Sequence, residues 1–226
     1  MPGTRARVVT LVVALAGVVS ASAAAGGFDP VLRPTVAGMS AAHHALVTGG
    51  ELGTAWTQGG AFTPSTAAIP CSSLEPNESS LVETGVGGAS FDRGPWRNVT
   101  AAARVFATVA QAEASWRQTV TPALVRCYER SLEGERGHLV SATRFTFASA
   151  AQHSAGFRLV TAISQRPLLG KGPSLLVRTY TDLFVLSNGR TQELVAFSSL
   201  TAPLSREFEA RTIGRIGERL FGSGEA

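Results

Sequence analysis

The stretch Leu175 to Leu186 (LLVRTYTDLFVL), then Ser187-Asn188-Gly189-Arg190, then Thr191 to Leu200 (TQELVAFSSL) decides the fold. Both flanks are rich in β-branched and aromatic residues. The Asn-Gly pair between them is the strongest short hairpin signal, because both residues tolerate positive φ. An antiparallel strand pair is therefore expected here, and the rest of the chain is read outward from it.

Upstream, Leu139 to Ala148 alternates, with Leu139, Phe145 and Phe147 on one face and Arg144 and Thr146 on the other. Gly156 to Ile163 sets Phe157, Leu159 and Ile163 against Arg158 in the same two-residue rhythm. Gly88 to Asp92 and Val99 to Thr108 form a further pair around Arg93-Gly94-Pro95, with Val99 and Val105 on one face and Phe106 on the other. Gly85 to Gly88 reads as a flexible hinge or a bulge.

Two segments carry helical spacing. In Val109 to Leu132, Trp116, Val120, Leu124 and Cys127 fall on one stripe, which places Trp116 in the core. Pro122 interrupts that stripe, so Thr121-Pro122 is read as the cap of a second helix after a kink. Downstream, Pro203 to Phe221 presents Leu204, Phe208, Ile213, Ile216 and Leu220 as an apolar face. The order is β-β-α-β-β-β-β-α, an α+β fold with an antiparallel twisted sheet flanked by helices. Thr48-Gly49-Gly50-Glu51 has capping-box spacing and predicts one short helical turn before it.

The N-terminus reads as a secretory signal over residues 1–25. Arg5 and Arg7 form the charged region, Val8 to Val19 the apolar one, and Ala21-Ser22-Ala23 a small-residue cleavage site. About a dozen apolar residues fall short of the roughly 20 that span a bilayer. The expected product is secreted, extracytoplasmic and free of a lipid anchor, since the first cysteine is Cys71; a retained signal would make it membrane-bound. Residues 26–44 read as a flexible N-terminal segment and 45–222 as a single domain of ordinary size.

Without Arg5 and Arg7, 18 basic side chains face 16 acidic ones, so the balance gives no basis for a nucleic-acid partner. Lys171 is the only lysine, and the Arg, Ala, Gly and Val usage fits a GC-rich genome such as an actinobacterium's.

The two cysteines, Cys71 and Cys127, most simply form one disulfide in an exported chain. Closing a loop of about 55 residues contributes about 4 kcal/mol in the chain-entropy model. Free thiols and a metal site are the alternatives, and the metal reading lacks a second Cys or His at ligand spacing.

No catalytic constellation emerges, and no cofactor is expected. Gly87-Gly88-Ala89-Ser90-Phe91 lacks the final Gly of a nucleophile elbow. Gly170-Lys171-Gly172-Pro173-Ser174 lacks the Gly and the Ser/Thr that a phosphate loop needs, and is read as a turn. His43-His44 reads as a surface-loop pair, and His138 and His153 as exposed strand-edge residues. Arg211, Arg215 and Arg219 share one helix face, either solvated or anion-binding. Trp56 and Trp96 either line a ligand pocket or cover a sheet edge.

Leu46-Val47-Thr48-Gly49-Gly50-Glu51-Leu52, the Pro70-Cys71 pair and a helix carrying Trp116 and Cys127 together resemble the PknH-like extracellular sensor domains of actinobacteria. The Mog1/PsbP-like secreted proteins are a related likeness. The resemblance implies a ligand-binding cleft without catalysis. It departs from the family in offering one cysteine pair where two disulfides are usual, and in having neither a kinase domain nor a tether. The resulting expectation is a secreted, non-enzymatic, sensor-like domain that binds a small molecule or an envelope component. The alternatives are a carrier of lipid-like ligands, a hydrolase with an unrecognised site, or a partner-binding module. The ligand-binding residues are not identifiable from sequence.

Overall fold

In the computed structural model, which describes residues 30–59, 77–122, 125, 137–165, 175–200 and 202–223, the hairpin closes one residue beyond the Asn-Gly pair. Asn188 still pairs with Thr191, and Gly189 and Arg190 make the turn, with Gly189 at φ +53°. The Asn188 side-chain amide donates to the Leu220 carbonyl, a tertiary bond made from the last residue of the strand.

The described elements are β1 (Val31–Leu32), α1 (Val36–Ala45), α2 (Gly49–Leu52), β2 (Thr57–Gln58), β3 (Val82–Asp92) and β4 (Arg97–Phe106). They continue with α3 (Val109–Thr119), β5 (Gly137–Phe145), β6 (His153–Gln165), β7 (Leu175–Asn188), β8 (Thr191–Ser199) and α4 (Arg206–Ser223). The strands form one mostly antiparallel open sheet ordered β1-β3-β4-β8-β7-β6-β5, with β2 pairing to β3 beside that path. Only the β1–β3 pairing is parallel among the described residues. The centre of the sheet is the β4–β8 ladder, which joins strands far apart in sequence.

One sheet face is covered by α1, α2 and α4. Val99, Ala101, Ala103 and Val105 of β4 meet Val195 and Phe197 of β8 and Phe184 and Leu186 of β7 in one core. From α4, Ile213, Ile216 and Leu220 are fully buried in it, as their spacing predicts. Burial of each contributes about 1.5–3 kcal/mol. An aromatic chain runs through this layer from Phe147 and Phe145 to Phe184, Phe197, Phe208 and Trp56.

Residues 26–44, read as flexible, contain most of α1, which begins at Val36. Thr35 caps it by accepting from the Gly38 amide at 3.0 Å. Its buried positions are Gly38, Ala42 and Ala45, so it packs by close approach and not by a large apolar stripe. The approach is possible because β3 is glycine-rich there. A Cβ on Gly85 would overlap the Gly38 backbone, and one on Gly87 would lie 3.3 Å from Ala42. The Gly85–Gly88 segment is strand, not hinge, and the irregularity lies just before it, in a register shift between Glu83 and Gly85. β3 thus begins at Val82 instead of Gly88. The capping box at α2 is present, with the Thr48 amide donating to Glu51 Oε2 at 2.8 Å.

On the other face α3 is tied down largely by polar groups. Its buried positions are Ala112 and Ser115. Ser115 contacts Glu78 and Gln192, and the Gln192 amide donates to the Ala112 carbonyl at 2.6 Å. Arg104 is held between Glu78 and Glu83 beneath them. Trp116 is half-buried, not fully enclosed: with Val120 and Val125 it packs against Ala155, Phe157 and Val185. The first helical run ends at Thr119, with Val120 as its cap, and Pro122 and Val125 are helical again, as the kink and second cap read at Thr121-Pro122 expect; Leu132 lies outside the described residues. Leu124 and Cys127 lie outside the described residues, as do residues 1–25, Cys71 and Lys171. Among the described residues no helix is long and apolar enough to cross a membrane.

Candidate ligand-binding floor on the second sheet face

Strand alternation sends Val99, Phe197, Phe184 and Val195 toward α1 and α4, so their neighbours line the opposite face. Register then assembles those neighbours across the sheet. Asn98 of β4 pairs with Ser198 of β8, and Ser198 with Thr181 of β7. Asp92 of β3 lies beside Asn98. One row away, Ser90 is opposite Thr100, and on the other side Thr179 is opposite Thr161. Five strands thus contribute hydroxyl, amide or carboxylate groups to one band. From β4 to β6 it spans three strand spacings, about 14 Å.

The band is enclosed but incompletely hydrogen-bonded. Asn98, Thr100, Thr161, Thr179 and Thr181 are all buried. The Asn98 amide nitrogen is shared among Asp92 Oδ1 at 2.8 Å, Ser90 Oγ at 3.2 Å and the Phe91 carbonyl at 3.2 Å. Thr181 and Ser198 hydroxyls meet at 3.2 Å. The Asn98 Oδ1, Thr161 Oγ1 and Thr179 Oγ1 atoms, by contrast, are buried with no hydrogen-bond partner. Thr161 is 0% exposed and Thr179 is 2% exposed, so solvent does not serve them either. Each such group left unmade costs about 1–3 kcal/mol. A molecule resting on this face reaches the half-buried members of the band, Ser90, Asp92 and Ser198, and not the enclosed threonine hydroxyls. Asp92 is the one charged member of this band.

Nearer the hairpin end of the same face, His153 Nε2 and Glu113 Oε1 lie 2.7 Å apart, and Trp116 stacks on the imidazole at 5.5 Å. His153 is therefore a partly buried, partnered residue, not the solvated strand edge expected. Ser187 stands directly across from His153 on β7. It is 3% exposed, and its hydroxyl makes no bond to the imidazole among the described residues, so the three do not form a nucleophilic relay. His43 and His44 sit exposed in the last turn of α1, a helix and not a loop, where cationic character suits the dipole. His138 is exposed on β5. Among the described residues no group of three His, Cys, Asp or Glu could hold a metal ion.

On the helix-covered face two carboxyls are buried that sequence reasoning missed. Glu209 of α4 is 3% exposed and lies beside Asp182, which Arg158 holds through paired contacts. Burial above all, then the Asp182 charge and hydrogen bond, push Glu209 up to about 8, against the pull of Arg158 and Arg206. Glu193 is held well above the ordinary carboxylate range by burial, opposed by Arg219 and the Val47 amide. Arg219 is not part of a solvated stripe. It pairs with Glu51 and donates to the Ala45 and Leu46 carbonyls at 2.9 Å each, closing the end of α1. Arg211 and Arg215 remain exposed, Arg211 lying over the Phe208 ring.

The tryptophans separate cleanly. Trp56 is buried and stacked on Phe208 at 5.7 Å, so it belongs to the core layer. Trp96 is 43% exposed at the β3–β4 turn, two residues before Asn98. A scan against protein-family models and a search of curated proteins both find no match for this chain.

Proposed function

We propose that this chain is an extracytoplasmic, non-enzymatic domain that binds a small molecule or an envelope component on the polar floor of its second sheet face. Ser90, Asp92 and Ser198 carry the reading: register gathers these half-buried polar side chains from β3 and β8 on either side of Asn98, where a ligand can reach them. The signal-like N-terminus and the likeness to PknH-like sensor domains support export and a sensing role. The fold that goes with it is a twisted antiparallel sheet flanked by helices in the order β-β-α-β-β-β-β-α. A carrier of acyl chains is less favoured, because the aromatic chain from Phe147 to Trp56 occupies the layer between sheet and α4.

The test is a thermal-shift panel of neutral saccharides, anionic metabolites and acyl lipids on the purified protein and on the D92A/S198A variant. Ligand at a hundredfold above Kd contributes about 2.7 kcal/mol, or about 5–10 °C in a chain of this size. One class should raise the wild-type Tm by that amount. The variant should lose the shift while its circular dichroism spectrum matches wild type. No shift from any class, or an equal shift in the variant, would overturn the reading.

A further inference from the structure

We propose that the sheet end where Pro30 enters the fold docks on an anionic phospholipid surface, that of the membrane across which the chain is exported. The proposal rests on the export half of that reading and is independent of the polar floor. Seven large apolar side chains are exposed among the described residues, and four of them, Val31, Leu32, Val36 and Val109, belong to this end. Scattered single exposures carry no message, but these are gathered by one strand. Val31 is the partner of Val82, whose amide donates to Gln111 Oε1 at 3.3 Å and whose carbonyl accepts from the Ala107 amide at 2.8 Å. The start of β3 thus sits between β1 and the first turn of α3, which holds Val109. Val36 opens α1 at the same level, since the Thr35 amide donates to the Thr84 carbonyl at 2.9 Å, and it is 91% exposed.

Charge and chain entry name the occupant. Arg33, Arg117 and Arg190 are exposed at this end. The Arg33 amide donates to the Glu83 carbonyl at 2.8 Å, and the Arg190 carbonyl accepts from the Phe106 amide at 2.9 Å. Arg117 follows Trp116, which stacks on His153 at the start of β6. Against them stands the exposed Glu218 near the end of α4, while Glu113 is bound to His153 and the buried Glu78 and Glu83 hold Arg104. Lipid phosphates attract such arginines while the apolar side chains enter between headgroups, and the two signals together hold what either alone holds weakly. A second copy docked through the same end would set these arginines against one another. The apolar run of the N-terminus closes at Val19, eleven residues before Pro30, so covalent geometry allows at most about 40 Å between them. During export this end is therefore held near the membrane. The orientation also leaves the floor clear, because Val82 and Asp92 stand at opposite ends of β3, about 33 Å apart.

Vesicle flotation tests this on the secreted form from Gly26, which keeps every described residue and lacks the apolar run. Wild type should float with vesicles of equal parts phosphatidylglycerol and phosphatidylcholine, and lose most of that binding on pure phosphatidylcholine or in about 0.5 M salt. Arg33→Gln, Arg117→Gln and Arg190→Gln should each weaken binding about fivefold, and about a hundredfold together. V31S/L32S/V36S should weaken it about tenfold. All six side chains are exposed, so circular dichroism of these variants should match wild type. Trp96→Ser and Leu176→Ser, at the far end, should float like wild type. In the full chain, hydrogen exchange over residues 31–36 should be slower on the anionic vesicles than on the neutral ones. The proposal is overturned by equal binding to both vesicles, by no binding to either, by undiminished binding in V31S/L32S/V36S, or by equal exchange on the two surfaces. D92A/S198A should float like wild type, so a thermal shift lost in that variant, alongside failed flotation, keeps the floor and removes this docking end.

Discussion

Gly38 and Gly85 meet backbone to backbone: a Cβ built on Gly85 falls inside the Gly38 carbonyl, and one on Gly38 falls against Thr84. Helix α1 is seated on β3 by this absence of side chains. Gly85→Ala must push the helix off the strand, because the obstructing atoms are backbone and cannot rotate away. The expected loss is about 3 kcal/mol, read as a Tm drop of about 6–12 °C. Gly214 of α4 offers the contrast, since a Cβ there meets open space. Gly214→Ala should stabilise by about 0.5–1 kcal/mol in the same assay.

Glu209, raised to about 8 by burial and by Asp182, makes stability depend on pH. The folded state keeps its proton above the pH at which the unfolded chain releases it. Its contribution is therefore fully present below about 4.5, the unfolded value, and is lost progressively as pH rises to about 8. Glu193, also raised, adds in the same direction. Urea denaturation from pH 5 to pH 9 should show falling stability. Glu209→Gln should flatten that slope, leaving the Glu193 part in place. An unchanged slope in Glu209→Gln would show that another group controls it.

Arg219 reaches from α4 to Glu51 and to two carbonyls at the end of α1. Arg219→Ala leaves Glu51 without its cation and the Ala45 and Leu46 carbonyls without that donor, and should cost about 1–3 kcal/mol by chemical denaturation. Adding Glu51→Gln should recover part of the loss, because one stranded charge is then gone. Full additivity of the two changes would argue that the pair is not coupled.

Cys71 and Cys127 are proposed to form a single bridge. Unreduced protein should resist alkylation under denaturing conditions, and reduction should lower stability by about 4 kcal/mol. Quantitative labelling of both thiols before reduction would exclude the bridge.

Periodicity revealed the strands around Asn188-Gly189 and the α4 face of Ile213, Ile216 and Leu220, because each buries large side chains on one side only. It missed α1, whose buried positions are Gly38, Ala42 and Ala45; a helix that packs by closeness leaves no apolar stripe to detect. For the same reason Gly85 to Gly88 read as a hinge or a bulge, and of the two only the bulge has a counterpart, in the register shift between Glu83 and Gly85. The polar floor was not legible either. Asn98, Thr181 and Thr161 are scattered along the chain, and only the β4-β8-β7-β6 order brings them together. Spacing alone put Arg219 with Arg211 and Arg215, since nothing in α4 announces that Glu51 waits at one end of it. The buried state of Glu209 and Glu193 depends likewise on tertiary neighbours.

The seam between β4 and β8 also governs how the molecule comes to exist. β3–β4 is a hairpin, and β5 to β8 a meander, so each half can assemble from contacts between neighbours in sequence. Among the described residues the β4–β8 ladder is the one strand pairing that joins them, and it must bridge α3, β5, β6 and β7. Loop closure over that distance precedes any reward from the central core, which predicts that this pairing limits the rate of folding. The floor crosses the same seam, through the Asn98–Ser198 pairing, so the chain acquires its candidate binding surface only when its two halves zip together.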